Sequence, residues 1–81
     1  MDTKTIGYVI RQIRLRRGLT QEVLSGLAQL DRTHYSKIER GLRSPTMETI
    51  FKIAGAIGMR PHLIVKEIEE EVERRGGAYE A

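Results

Sequence analysis

Apolar residues recur at helical spacing through almost the whole chain, and glycines and one proline turn cut that pattern into short pieces. No alternating apolar–polar run of useful length competes with it, so the pattern predicts an all-α fold of five helices. The first runs from about Thr5 to Arg17, with Ile6, Val9, Ile10 and Ile13 on one face, and Gly18 stops it where a left-handed residue costs least. Thr20 caps a second, from Gln21 to Ala28, whose apolar side is Val23, Leu24 and Leu27. Asp31 caps a third, from Arg32 to Arg40, and its carboxylate suits the positive helix start; Gly41 closes it. Ser44-Pro45-Thr46 reads as a turn and a capping threonine. The fourth helix follows from Met47 to about Ile57, burying Met47, Ile50, Ile53, Ala54 and Ile57 before Gly58 ends it. Pro61 fits the first turn of a fifth helix that reaches Arg75, ahead of Gly76 and Gly77. Residues 1–75 thus form one domain, and 76–81 are expected to be a flexible tail, frayed from Ala78 to Ala81.

A domain of this size buries a modest core and gains from self-association, so a dimer is the first expectation. The chain has no cysteine, which removes disulfides, thiolate metal sites and thiol nucleophiles together. From Met1 to Thr5 it is polar, and no apolar run approaches membrane-spanning length, so a soluble, cytoplasmic protein is expected, with no membrane partner. Charge is distributed unevenly. Residues 1–66 hold twelve Lys/Arg against five Asp/Glu, whereas residues 67–81 hold two against six. A basic body with an acidic end suits a phosphate-facing module, although charged helices also serve solubility alone. His34 and His62 stand far apart with no carboxylate or cysteine at ligand spacing, Ser25 and Ser36 lack a plausible base, and no phosphate loop occurs. Neither an enzyme, a metal site nor a cofactor is expected.

The informative stretch is Leu19 to Gly41, two short helices joined by a tight turn. Small Ser25 sits where the second helix must cross the first, and Leu24, Ala28, Leu30, Tyr35 and Ile38 fall where the pair would pack on a bundle. This is the pattern of a helix-turn-helix, whose second helix enters the DNA major groove. Its outward face offers Arg32, Thr33, Ser36 and Lys37, with His34 at the edge. Arginine can fork onto guanine, threonine can meet the thymine methyl, and serine and lysine serve bases or phosphates. Residue by residue, an ordinary solvated face is the better explanation of these side chains; only the whole unit points to DNA.

These residues resemble a known family. Ile10-Arg11-Gln12-Ile13-Arg14, then Gly18-Leu19-Thr20-Gln21-Glu22, Leu24, Leu30, Ile38-Glu39-Arg40-Gly41, Ser44-Pro45-Thr46 and Ala56-Ile57-Gly58 are similar to the lambda-repressor-like, or Xre-type, helix-turn-helix domains over residues 6–66. Leu30-Asp31-Arg32-Thr33 ahead of Ile38-Glu39-Arg40 is similar to the controller proteins of restriction–modification systems. The resemblance implies a five-helix DNA-binding domain and a transcriptional regulator. It places Arg32, Thr33, Ser36 and Lys37 at base-reading positions and Gln21 and Arg43 at phosphates. Thr20 either shares that contact or only caps its helix, and Arg40 either reaches phosphate or lies in solvent. It makes Arg14 and Glu39 a structural ion pair between the first and third helices. Two departures are expected to lower stability: Gln29 stands in the turn where glycine or asparagine is usual, and Gly26 lies inside the second helix.

The fifth helix carries a stripe of Ile64, Ile68 and Val72, with Leu63 and Val65 nearer the body. That stripe extends past the reach of the fourth helix and is expected to form the dimer contact. The expected partners are a second copy, a two-fold operator in double-stranded DNA and, in regulation, RNA polymerase; no small-molecule ligand is expected. Bacterial or phage cytoplasm, on the nucleoid when bound, is the implied location. The alternative from another class is an antitoxin-like or adaptor module using this fold to bind protein.

Overall fold

A computed structural model describes residues 2–77, so Met1 and the expected fraying of Ala78 to Ala81 lie outside the described residues. Five helices follow in order: α1 (Thr3–Arg16), α2 (Gln21–Leu27), α3 (Arg32–Glu39), α4 (Met47–Ile57) and α5 (Pro61–Arg74). The all-α expectation holds, and each boundary has a local cause. The carboxylate of Asp2 accepts from the Lys4 N–H at 2.9 Å, which starts α1 two residues before the periodicity does. Thr20, Asp31 and Thr46 cap α2, α3 and α4 in the same way, accepting from Val23, His34 and Thr49. No side chain caps α5; Pro61 occupies its first turn instead, where a missing N–H costs nothing.

Both ends of the two-helix unit close with the same motif. After α3, Gly41 is left-handed (φ 76°), its N–H donates to the Ile38 carbonyl, and the Leu42 N–H donates to Lys37. After α2 the left-handed position falls on Gln29 (φ 56°), with its N–H donating to Gly26 and the Leu30 N–H to Ser25. Without glycine's freedom, that turn carries about 1 kcal/mol of strain.

The core is built from every helix: Ile10 and Ile13 from α1, Leu24 from α2, Tyr35 and Ile38 from α3, Ile53 from α4 and Ile64 from α5 are almost fully enclosed. Gly7 allows α1 to lie against the end of α3, because a Cβ there would collide with the carbonyl oxygens of Ile38 and Glu39. Ser25 is buried where α2 crosses α3, as its size suggested, and its hydroxyl donates to the Glu22 carbonyl.

Three apolar expectations are corrected. Ile64, Ile68 and Val72, read as a dimer stripe, are at most 6% exposed within the single chain. The reading allowed only the fourth helix as cover, but α1 runs beside α5 as well and encloses the stripe. Arg16 pairs with Glu67 across that seam at 2.8 Å, and the Arg75 guanidinium lies over the Tyr8 ring and donates to the Thr5 hydroxyl. Leu63 and Val65, placed nearer the body by the sequence, are instead exposed. Val23 and Leu27 of α2, and Met47 at the start of α4 (71% exposed), also face outward; from the α2 segment only Leu24, Ser25 and Ala28 are buried.

Candidate nucleic-acid interface

The outward face of α3 is presented by a rigid polar anchor at its C-terminal end. Glu39 is buried, and four hydrogen bonds converge on its carboxylate. Arg14 donates from Nε to Oε2 at 2.7 Å and from Nη2 to Oε1 at 3.1 Å. The Gln21 amide donates to Oε1 at 2.9 Å, and the Tyr35 hydroxyl makes a short bond to Oε2. Arg14 also donates to the Leu19 carbonyl at 2.8 Å. One carboxylate thus ties α1, the α1–α2 connection and the start of α2 to α3.

Its electrostatics follow from that crowding. Burial alone would push the Glu39 carboxyl up, but hydrogen bonds from Arg14, Tyr35 and Gln21 outweigh it and hold the group below the ordinary value of 4.5. The Tyr35 hydroxyl is pushed well above its usual range, first by burial and then by its bond to Glu39. The Arg14 guanidinium is held further into its charged form, chiefly by its hydrogen bonds to Glu39, against the desolvation that burial imposes. Among the described residues no buried side-chain nitrogen or oxygen lacks a partner.

Above this anchor the predicted contact residues come together. Arg32, Thr33, His34 and Arg40 are exposed, while Ser36 and Lys37 are half-buried. Helical spacing puts Arg32, Ser36 and Arg40 on one stripe and Thr33 with Lys37 on the next, with His34 at the far edge. Arg43 is exposed in the connection to α4, two residues beyond the left-handed Gly41 that directs the chain out of α3. Thr20 is exposed, and its hydroxyl oxygen accepts from the Val23 N–H at 3.1 Å, so its capping role is observed directly. Gln21 is half-buried and spends one amide N–H on Glu39, which leaves the other for a ligand.

Sequence reasoning missed three participants. Neither Tyr35 nor Gln21 was recognised as a partner of Glu39, although Tyr35 stands one helical turn before it on α3. Arg11 was overlooked as well: it is exposed on α1 and lines a cleft with Arg14, Gln21, Ser36, Glu39 and Arg40. Its position one turn before Arg14 was the available signal. Among the described residues no group of three or more His, Cys, Asp or Glu side chains is placed to hold a metal ion, and no helix is long and apolar enough to cross a membrane.

A capped helix pair with a close crossing, and an exposed basic second helix, define a helix-turn-helix domain. Comparison with known proteins agrees: the helix-turn-helix family matches residues 10–64, and the chain belongs to that family. The chain is 40% identical over 70 residues to the immunity repressor protein of Bacillus phage phi105, spanning 83% of this chain and 49% of the repressor. It is 43% identical over 56 residues to the control protein C.BamHI of Bacillus amyloliquefaciens, covering 68% of this chain and 69% of that protein. The structure of the restriction–modification controller protein C.Esp1396I superposes with a TM-score of 0.81 at 30% identity, over 89% of this chain and 94% of that one. The chain therefore spans about half the length of the phage repressor but nearly all of the solved controller protein. The resemblance to Xre-type domains and controller proteins read from the sequence holds, and these relatives are named as regulators, as a non-enzymatic reading expects.

Proposed function

We propose that the protein is a transcriptional regulator that binds a two-fold operator in double-stranded DNA as a homodimer, with α3 in the major groove. The observation that carries this reading is the cationic, hydroxyl-bearing face of α3 held on the buried Glu39 anchor. A side chain can select a base only if its helix cannot rock, and the four bonds to Glu39 supply that rigidity. Arg32, Thr33, Ser36 and Lys37 read base edges, with His34 at the margin of the groove. Thr20, Gln21, Arg40 and Arg43 hold the flanking phosphates and fix the register. Arg14 and Glu39 stay out of the contact and hold α3 in place.

The dimer surface is reassigned. With Ile64, Ile68 and Val72 in the core, the apolar area left exposed near α5 lies across α4 and α5. Met47, Phe51 and Val65 rim a groove floored by Ile50 and Pro61, and Phe51 is 57% exposed. A two-fold contact through this groove buries the same patch on both copies. Regulation then follows protein concentration, through coupled dimerisation and DNA binding, with no effector ligand. RNA polymerase is the further partner through which bound protein acts, and the cytoplasm is its location.

Titrating a labelled protein with duplex DNA while following backbone amide resonances tests the docking mode. Shifts concentrated at the start of α2, along α3 and at Arg43 are expected. A titration that leaves α2, α3 and Arg43 unshifted would instead support an adaptor that uses this fold to bind protein.

A further inference from the structure

We infer that Arg11 of α1 and Arg40 of α3 form a two-armed clamp for one DNA backbone phosphate, at the side of α3 that faces α1. This rests on the DNA-binding reading above and adds a contact from a helix outside the helix-turn-helix pair.

An open cleft of about 360 Å³ lies between α1, α2 and α3, lined by Arg11, Arg14, Gln21, Ser36, Glu39 and Arg40. Arg14 and Glu39 neutralise each other at its floor with a bidentate pair, so its net charge comes from the other two arginines. Both are exposed, and neither guanidinium has a hydrogen-bond or ion-pair partner among the described residues. Unlike Arg16, which pairs with Glu67, and Arg74 and Arg75, which pair with Glu71, these two guanidinium groups are uncommitted. Ser36 and Gln21 line the same cleft, and the Ser36 hydroxyl and the second N–H of the Gln21 amide add neutral donors to it. A singly charged tetrahedral oxyanion suits that set, since guanidinium forks match its oxygens and the paired floor offers no surplus carboxylate.

Placement selects the source of the anion. Arg32, Ser36 and Arg40 share one stripe of α3, so the cleft continues the base-reading face at its C-terminal end. A helix lying in the major groove has a phosphodiester strand passing along each side. The strand on the α1 side meets Arg11 and Arg40. Arg14 is committed to Glu39, so at this cleft Arg11 rather than Arg14 carries the α1 contact to DNA.

The test uses the full chain and a short random-sequence duplex, with affinity measured across a range of salt. Arg11→Gln is expected to reduce the slope of log affinity against log salt by about 0.9 for each Arg11 removed, which makes binding lose roughly 3-fold less affinity between 50 and 200 mM salt. Arg11→Lys restores most of the slope, since it keeps the charge. Arg74→Gln, which removes the same charge from the far end of α5, leaves the slope as in the wild type. Thermal melting of Arg11→Gln matches the wild type, because Arg11 makes no internal bond. An unchanged slope in Arg11→Gln, or an equal flattening in Arg74→Gln, overturns the clamp. Wild-type protein without affinity for duplex overturns the DNA-binding reading together with it, whereas wild-type binding with an unaltered Arg11→Gln slope removes the clamp alone.

Discussion

Glu39 is the residue on which the structure depends most. Replacing it by glutamine removes the charge that Arg14 is buried against and sets a new amide donor against three existing donor groups. Breaking one side of such a pair typically costs about 3–5 kcal/mol, so Glu39→Gln should unfold at distinctly lower urea concentration. The pH dependence has a definite sign. A carboxyl held below its unfolded value of 4.5 contributes its full stabilisation above that pH, and loses it as pH falls through the folded value. Stability should therefore decline on acidification below about 4.5, and Glu39→Gln should flatten part of that decline. Part remains, because hydrogen bonds from Arg75 and Arg74 hold the Glu71 carboxyl low as well. A Glu39→Gln protein with an unaltered acid limb would show that the anchor is not ionised as described. At the DNA face the contacts separate by type. Arg32→Ala should cost about 1–3 kcal/mol and relax selection at one base, while Arg43→Ala should weaken all sequences alike and lower the salt slope by about 1. Competition binding with single-base operator variants distinguishes the two.

At the scale of the elements, capping residues carried most of what could be read in advance. Thr20, Asp31 and Thr46 start helices where the sequence placed them, and Gly18, Gly41 and Gly58 end them with positive φ. Asp2 was not read as a cap because only polar residues follow it before Ile6, so the periodicity gives no sign of the first turn. Two glycines that look alike in sequence behave oppositely. Gly26 has nothing within 4 Å of an added Cβ, so Gly26→Ala should raise stability by up to about 1 kcal/mol. Gly7→Ala should instead lower it, because the new methyl would meet carbonyl oxygens at the end of α3 and push α1 away. Thermal melting of both variants checks the pair; equal effects of one sign would contradict the α1–α3 packing. Only tertiary contact distinguishes them, and spacing along one helix cannot show it.

For the whole molecule, the lesson concerns which surfaces are left over. Periodicity identified Ile64, Ile68 and Val72 as one apolar face, but it could not show that α1, far away in sequence, covers that face. In the same way, the outward turn of Met47 depends on where α4 sits over α2 and α5, and its own sequence neighbours carry no such information. The helix-turn-helix was legible because its signals are local: caps, a tight turn, and a polar face on one short helix. Of the groups around Glu39, Arg14 was expected from the resemblance, but Gln21 was not, since it lies in a different helix and its amide could have pointed to solvent. This difference gives a direct contrast at the dimer surface. Phe51→Asp should yield a folded monomer in sedimentation, with helical content retained, whereas Ile64→Asp should lose the fold because Ile64 is fully enclosed. A Phe51→Asp protein that remains dimeric would return the contact to another face.

The central claim is sequence-specific reading of DNA by a two-fold pair of α3 helices. Selection from random duplex DNA at near-physiological salt, followed by sequencing of the bound fraction, tests it most directly. The account predicts enrichment of a two-fold symmetric site whose half-sites lie about 34 Å, one helical turn, apart. Recovery of no preferred sequence, with only a weak salt-sensitive background, would contradict it.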